Sequence, residues 1–178
     1  MMLLSGMGGG VVAQMDADAD AVYVTRVSME LVSAGDSTVA ETETLRSARG
    51  GVIVQMEEWS DPRGSGTVTI PWNTDVDPKT GQGIMWGTNL FENDGGTWEG
   101  PCSGIVYRPP DQTAGTSVGV LGGPGAFFDV TCWLTGTGDY AGYTFFIQED
   151  GFRNSGPTRV IHGVIYKGQP PVSELPAE

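Results

Sequence analysis

Apolar and polar residues alternate over 22–32. On an extended chain this places Tyr23, Val27, Met29 and Leu31 on one face, and Arg26, Ser28 and Glu30 on the other. That period of two predicts a strand. Residues 33–47 break it: their Thr, Glu and Ser content around a Gly-Asp pair predicts a long loop with one short helical turn. From Gly50 onward, short runs rich in Val, Ile, Thr and aromatic residues predict strands at 52–59, 66–73, 83–92, 96–107, 116–121, 126–135, 141–149 and 158–167, about nine with the first. The connections, among them SDPRGSG, TDVDPKTGQ, NDGG and GTGD, are dense in the residues that turns require. None is long enough for a crossover helix, so neighbouring strands are expected to be antiparallel.

Glycine spacing decides between the two ways of arranging such strands. Gly, any residue, aromatic, any residue, Gly occurs at Gly96-Thr97-Trp98-Glu99-Gly100 and again at Gly138-Asp139-Tyr140-Ala141-Gly142. Glycine there suits a strand that coils sharply to close a sheet, with the aromatic filling the concave side. The expected fold is therefore all-β, a single antiparallel up-and-down β-barrel of eight or nine strands, with a β-sandwich as the alternative. Residues 20–168 form the barrel domain and 169–178 an extended, proline-punctuated tail.

Composition adds limits to this picture. A chain of 178 residues is long enough to bury about 70% of its unfolded surface in one core. The formal charge of −13, from 22 acidic and 9 basic residues, repels polyanions, so nucleic acid is not an expected partner, and anionic membrane surfaces are disfavoured for the same reason. Residues 1–14, MMLLSGMGGGVVAQ, are apolar, too short to span a bilayer, and end in a small-residue pattern near Ala13. They read as the remnant of a signal peptide, with a disordered leader as the alternative, and place the protein in a secreted or periplasmic compartment without membrane insertion. The two cysteines, Cys102 and Cys132, then predict one disulfide. Its closed loop of about thirty residues would contribute ~3–4 kcal/mol on the chain-entropy account. Two buried free thiols are the alternative, and no neighbouring group would activate either as a nucleophile.

Taken together, SDPRGSG (60–66), IMWGTNLFENDGGTWEG (84–100) and GTGDYAGYTFF (136–146) resemble a family of small exported bacterial proteins without an assigned function. The resemblance extends over roughly 50–168, and its motifs carry turns and corners rather than chemistry. In architecture the pattern is similar to allene oxide cyclase-like, dirigent-like and calycin barrels. That similarity implies a central cavity holding an apolar molecule and transfers no catalytic residue.

Few residues offer chemistry. His162 is the sole histidine, so no two-imidazole zinc site can be built, and no cofactor or metal is expected. His162 shares a face with Val160, Val164 and Tyr166, as a structural residue or as a general base in the cavity. Glu57 and Glu58 point to opposite faces of a strand, so at most one can enter a lumen, where an apolar setting would raise its pKa. Asp61 is expected to cap the following turn and Arg63 to pair with it or with a neighbouring Glu. Asp75 with Asp77, and Asp16, Asp18 and Asp20, lack the glycine and bidentate glutamate of a calcium loop. The aromatic residues Trp86, Trp98, Tyr140 and Trp133 are the expected ligand-binding residues, unless these rows are simply core. Three functions follow: a barrel binding a small apolar molecule, a cofactor-free isomerase or cyclase using Glu57, Glu58 or His162, or a filled barrel acting as a structural or interaction module. Oligomeric state is not encoded in any motif.

Overall fold

A computed structural model describes residues 21–107, 127–152 and 161–171, the side chains of 150–152 excepted. The strands are β1 (Ala21–Gly35), β2 (Thr38–Glu41), β3 (Arg46–Trp59), β4 (Gly66–Val76), β5 (Gln82–Asn93), β6 (Gly96–Tyr107), β7 (Phe127–Gly136), β8 (Tyr143–Phe152) and β9 (Ile161–Lys167). Successive strands from β3 to β9 pair antiparallel, and β1 closes the sheet by pairing with β9 through Ala21–Thr25 and with β3 through Arg26–Gly35. The result is a closed eight-stranded barrel carrying β2 as a ninth strand on β3. Closure rules out the sandwich. The leader, the predicted strand at 116–121 and most of the tail lie outside the described residues. Among those residues no helix is long and apolar enough to cross a membrane.

Two readings of the first fifty residues need correction. Residues 33–47 are not one long loop: β2 and the start of β3 form a hairpin, closed by the Thr42 hydroxyl accepting from Leu45 N at 3.0 Å and by Arg46 clamping Glu41 at 2.7 and 3.2 Å. All four β2 residues are exposed. A strand with no buried face has no reason to alternate, so the pattern that marks the other strands is missing here. In β1 the buried positions begin with Val22 and Val24, while Tyr23 points outward and is 82% exposed. A bulge between Arg26 and Ser28 then shifts the register, so that Met29 opposes Glu57 and Leu31 opposes Gln55. One extra residue exchanges the faces of a strand, so Tyr23 and Met29 are not on one side.

The disulfide expected from the two cysteines is present. Cys102 and Cys132 are direct partners in the β6–β7 ladder, with Cα atoms 4.1 Å apart. Both side chains face the interior, in line with Trp98 and Val106 on β6 and with Phe128, Val130 and Leu134 on β7.

The glycines have several separate jobs. At Gly100 an added Cβ would lie 2.0 Å from Trp133 O, a backbone atom that cannot move aside. Gly142 has open space around it, and glycine is favoured there by φ of +87° rather than by a clash. The two glycine–aromatic motifs also differ. Gly96–Gly100 runs along β6, whereas Gly138–Tyr140 is a 3-10 turn between β7 and β8.

Candidate functional site

The barrel is solid at one end. There the β3–β4, β5–β6 and β7–β8 turns meet, and the lumen is filled by Trp59, Phe91, Trp98 and Phe145 with Val24, Val68, Leu134 and Ile165. Phe145 takes the edges of Trp59 and Trp98 at centroid distances of 5.0 and 5.6 Å. Tyr140 is folded back by its turn to stack on Trp98 at 4.8 Å, with the planes 7° apart. The polar edges of these rings are satisfied. Trp98 Nε1 donates to Arg63 O at 2.7 Å, and Tyr140 Oη donates to Asn93 Oδ1 at 2.6 Å. Asp61 caps the 3-10 turn Pro62–Gly64, accepting from Arg63 N at 2.9 Å and from the Arg63 guanidinium at 2.7 Å. Burial alone would raise the Asp61 pKa, but hydrogen bonds from the Arg63 side chain and backbone, with its charge, outweigh that and hold it below the usual carboxylate value.

A buried polar group lies one step along β3. Glu57 points into the lumen, where Oε1 accepts from Arg26 Nη1 at 2.7 Å and from Gln55 Nε2 at 2.5 Å, and Oε2 accepts from Trp59 Nε1 at 2.9 Å. Both members of the ion pair are almost fully enclosed. Of the adjacent glutamates Glu57 is thus the inward one. It sits against a guanidinium, not alone in an apolar setting. Glu58 faces out and accepts from the Ser28 hydroxyl at 3.1 Å. His162 is exposed and alternates with the interior residues Ile161, Gly163 and Ile165, so its place as a general base in the cavity is ruled out.

Beyond this layer the described residues leave part of the lumen open. A partly open cavity of about 70 Å³ is bounded by Ile53 and Gln55 on β3, Ile70 and Trp72 on β4, Met85 and Asn89 on β5, Val106 on β6 and Phe128 and Val130 on β7. Its remaining wall includes both disulfide sulfurs' residues and Glu149, and Met29, 43% exposed, stands at the rim. The indole of Trp72 lies flat across Gly51, where an added Cβ would come within 2.1 Å of the ring. Asn89 turns its Nδ2 toward Cys132 Sγ at 3.6 Å.

The four expected ligand-binding aromatics are therefore not one group. Trp98 and Tyr140 are inside but belong to the packed end, Trp98 being 1% exposed. Trp86 touches the cavity from the wall, while its ring lies under the Arg49 guanidinium at 4.8 Å, on the outward side with its partners Asn73 and Ser103. Trp133 is on the outer face, where it packs on Phe146 at 4.4 Å beside Val164 and Tyr166. The lumen residues missed among the tryptophans are Trp59, in the packed end, and Trp72, which shares alternation with Val68 and Ile70. A legible signal also existed for Asn89, an amide on the same face as Met85 and Phe91. Asp75 and Asp77, set aside above as calcium ligands, are engaged locally: Asp75 pairs with Arg49 at 2.6 Å, and Asp77 accepts from Lys79 N at 2.7 Å to close its turn.

No family model matches the chain, and neither a curated protein nor a solved structure matches it significantly.

Proposed function

We propose that this protein is an exported small-molecule-binding barrel that holds an apolar ligand in its lumen. One observation carries the reading: the barrel is filled by interlocking aromatic rings around Trp98 and Phe145, yet leaves a cavity beside Trp72, Met85 and Val130. A lumen selected only for stability would be filled at both ends, because each void the size of a methyl group is destabilising. The volume limits the ligand. An engineered cavity of about 150 Å³ accepts benzene, so about 70 Å³ suits a compact group of a few heavy atoms, or the end of a longer molecule projecting past Met29. Export is supported by the apolar leader and by a disulfide in the cavity wall, since such bonds persist in oxidising compartments. Catalysis by a cofactor-free isomerase has less support, because Glu57 is committed to Arg26, Gln55 and Trp59.

The test is a titration of the wild-type protein with cyclopentane, followed through the methyl resonance of Met85. Saturable binding is the expected result, and Val130→Phe, which fills the lumen, is expected to abolish it. A wild-type lumen that takes up no cyclopentane overturns the proposal.

A further inference from the structure

The outer wall of the barrel carries an apolar row that plays no part in the lumen. Trp133 on β7, Phe146 on β8, Val164 on β9 and Tyr23 on β1 are successive cross-strand partners, so they lie side by side across the sheet. Each alternates with buried residues such as Leu134, Phe145, Ile165 and Val24, and therefore points outward. Trp133, Phe146 and Val164 join Tyr166 as the floor of an open groove of about 450 Å³, and Tyr23, 82% exposed, continues the row beyond it. Single apolar residues on a surface are ordinary, whereas a contiguous apolar row marks a binding face.

One segment is already seated at this groove. After Lys167 the chain is pinned to the start of β8, with Gly168 N donating to Gly142 O at 2.9 Å and the buried Thr144 hydroxyl donating to Gly168 O at 2.8 Å. Gln169 and Pro171 then border the groove, and the Tyr166 hydroxyl donates to Gln169 O at 3.4 Å. A proline thus stands against aromatic residues while a tyrosine takes the carbonyl just before the Pro170-Pro171 pair. Aromatic grooves hold polyproline II segments in this way, because such segments are extended in advance and lose little entropy on binding. Pro171 occupies one edge of the groove and leaves its volume open.

Dimensions and charge select the occupant. Two strand spacings come to about 9.6 Å and one polyproline II turn to about 9.3 Å. A proline-rich segment laid across the strands therefore presents the same side to Trp133 and, one turn later, to Val164. A glycan is a poorer match, since apart from the Trp133 indole only Gln169 and Tyr166 offer it polar side chains among the described residues. No charged side chain borders the groove among those residues, while the chain as a whole stands at −13. Basic flanks on the ligand are thus attracted and acidic ones repelled. That disfavours the chain's own residues 172–178, which bring Glu174 and Glu178. We infer that the outer groove binds an extended proline-rich segment of another protein, with basic residues beside the prolines.

Four probes are titrated into the full-length protein while the Trp133 indole resonance is followed by NMR: octaproline flanked by lysines, octaproline flanked by glutamates, a lysine-flanked Gly-Ser octapeptide, and cellopentaose. The expected result is a saturable shift with the lysine-flanked proline peptide, binding about tenfold weaker with glutamate flanks at low salt, and no saturable shift with the other two. The Trp86 resonance, on β5, should stay in place. Trp133→Ala and Phe146→Ala should each weaken the lysine-flanked proline peptide by about tenfold; should they fail to fold, the wild-type series decides. Absence of a shift with either proline peptide, or equal binding of the Gly-Ser peptide or of cellopentaose, overturns the inference. Equal affinity for the two proline peptides overturns the basic partner. Binding that appears only when Leu175→Gly and Pro176→Gly are combined assigns the groove to the chain's own tail and overturns the inference as well. The lumen reading is tested separately by cyclopentane and survives any of these outcomes.

Discussion

The two ends of this barrel use the same kinds of residue for opposite purposes. At the packed end Trp59 and Trp98 interlock with Phe145 and give their N–H groups to a carboxylate and a backbone carbonyl. At the hollow end Trp72 lies on a glycine and its N–H is unmatched among the described residues. The difference is one of supply. The β3–β4 and β7–β8 connections fold 3-10 turns over the packed end and bring Arg63 O and Tyr140 onto Trp98. Among the described residues, the hollow end has the Asp77–Gly81 turn, which closes on itself through Asp77, and the β2–β3 hairpin, whose β2 strand is exposed throughout. An aromatic side chain thus becomes core or cavity wall according to what the turns place above it.

Truncating one large side chain at each end tests this contrast most severely. Trp98→Ala removes a ring that touches both Phe145 and Tyr140 and is expected to destabilise the fold by ~3–5 kcal/mol in chemical denaturation. Met85→Ala, beside existing free space, is expected to fall below the ~2–5 kcal/mol usual for a buried methionine. Equal losses would mean that the two ends are packed alike.

A pair of glycine substitutions sharpens the point. At Gly100 a methyl group would lie 2.0 Å from Trp133 O, and at Gly51 it would lie 2.1 Å from the Trp72 ring. The clashes are equal on paper. Backbone in the middle of a ladder cannot yield, so Gly100→Ala is expected to cost ~3 kcal/mol, at the upper end of overpacking effects. The Trp72 ring can swing into the cavity, so Gly51→Ala is expected to cost ~1 kcal/mol, while displacing any lumen ligand. A Gly51→Ala protein as unstable as Gly100→Ala would show that the cavity is not available to the ring.

The smallest effect concerns acid. Because the folded-state pKa of Asp61 is below its ordinary value, deprotonated Asp61 favours the folded barrel. Its contribution is present in full above the unfolded carboxylate value of about 3.9 and is lost as the pH falls through the lower folded value. Asp61→Asn should accordingly lower stability at neutral pH and flatten the acid side of the stability profile. An unchanged acid slope would remove Asp61 and its Arg63 partner from the account of the packed end.

Much of the fold was legible because each barrel strand has one buried face. From Val52 to Lys167 that requirement imposes alternation, and glycine- and proline-rich turns mark where each described strand reverses. The disulfide was legible too, since two cysteines in a chain whose leader reads as an export signal have only each other. β2 was hidden because it buries nothing, and the β1 bulge was hidden because an extra residue leaves no composition signal. For the site, the inward position of one of Glu57 and Glu58 followed from alternation, but which one did not. The wall tryptophans could not be chosen correctly for the same reason.

What the sequence determined by itself was periodicity: which residues of a strand share a side, where the chain turns, and that the strands are antiparallel. It could not say which side is inside, because Trp86 and Trp133 are as apolar as Trp72 and Trp98, and a period of two is symmetric between faces. Only closure of the sheet decides that, by turning one face inward on every strand at once. Tertiary structure alone also decided that Trp98 meets Tyr140 from a turn some forty residues away, whereas Trp72 Nε1 and Asn89 Oδ1 meet no partner among the described residues. Contacts between distant strands depend on register and shear around the whole barrel, which no local pattern records.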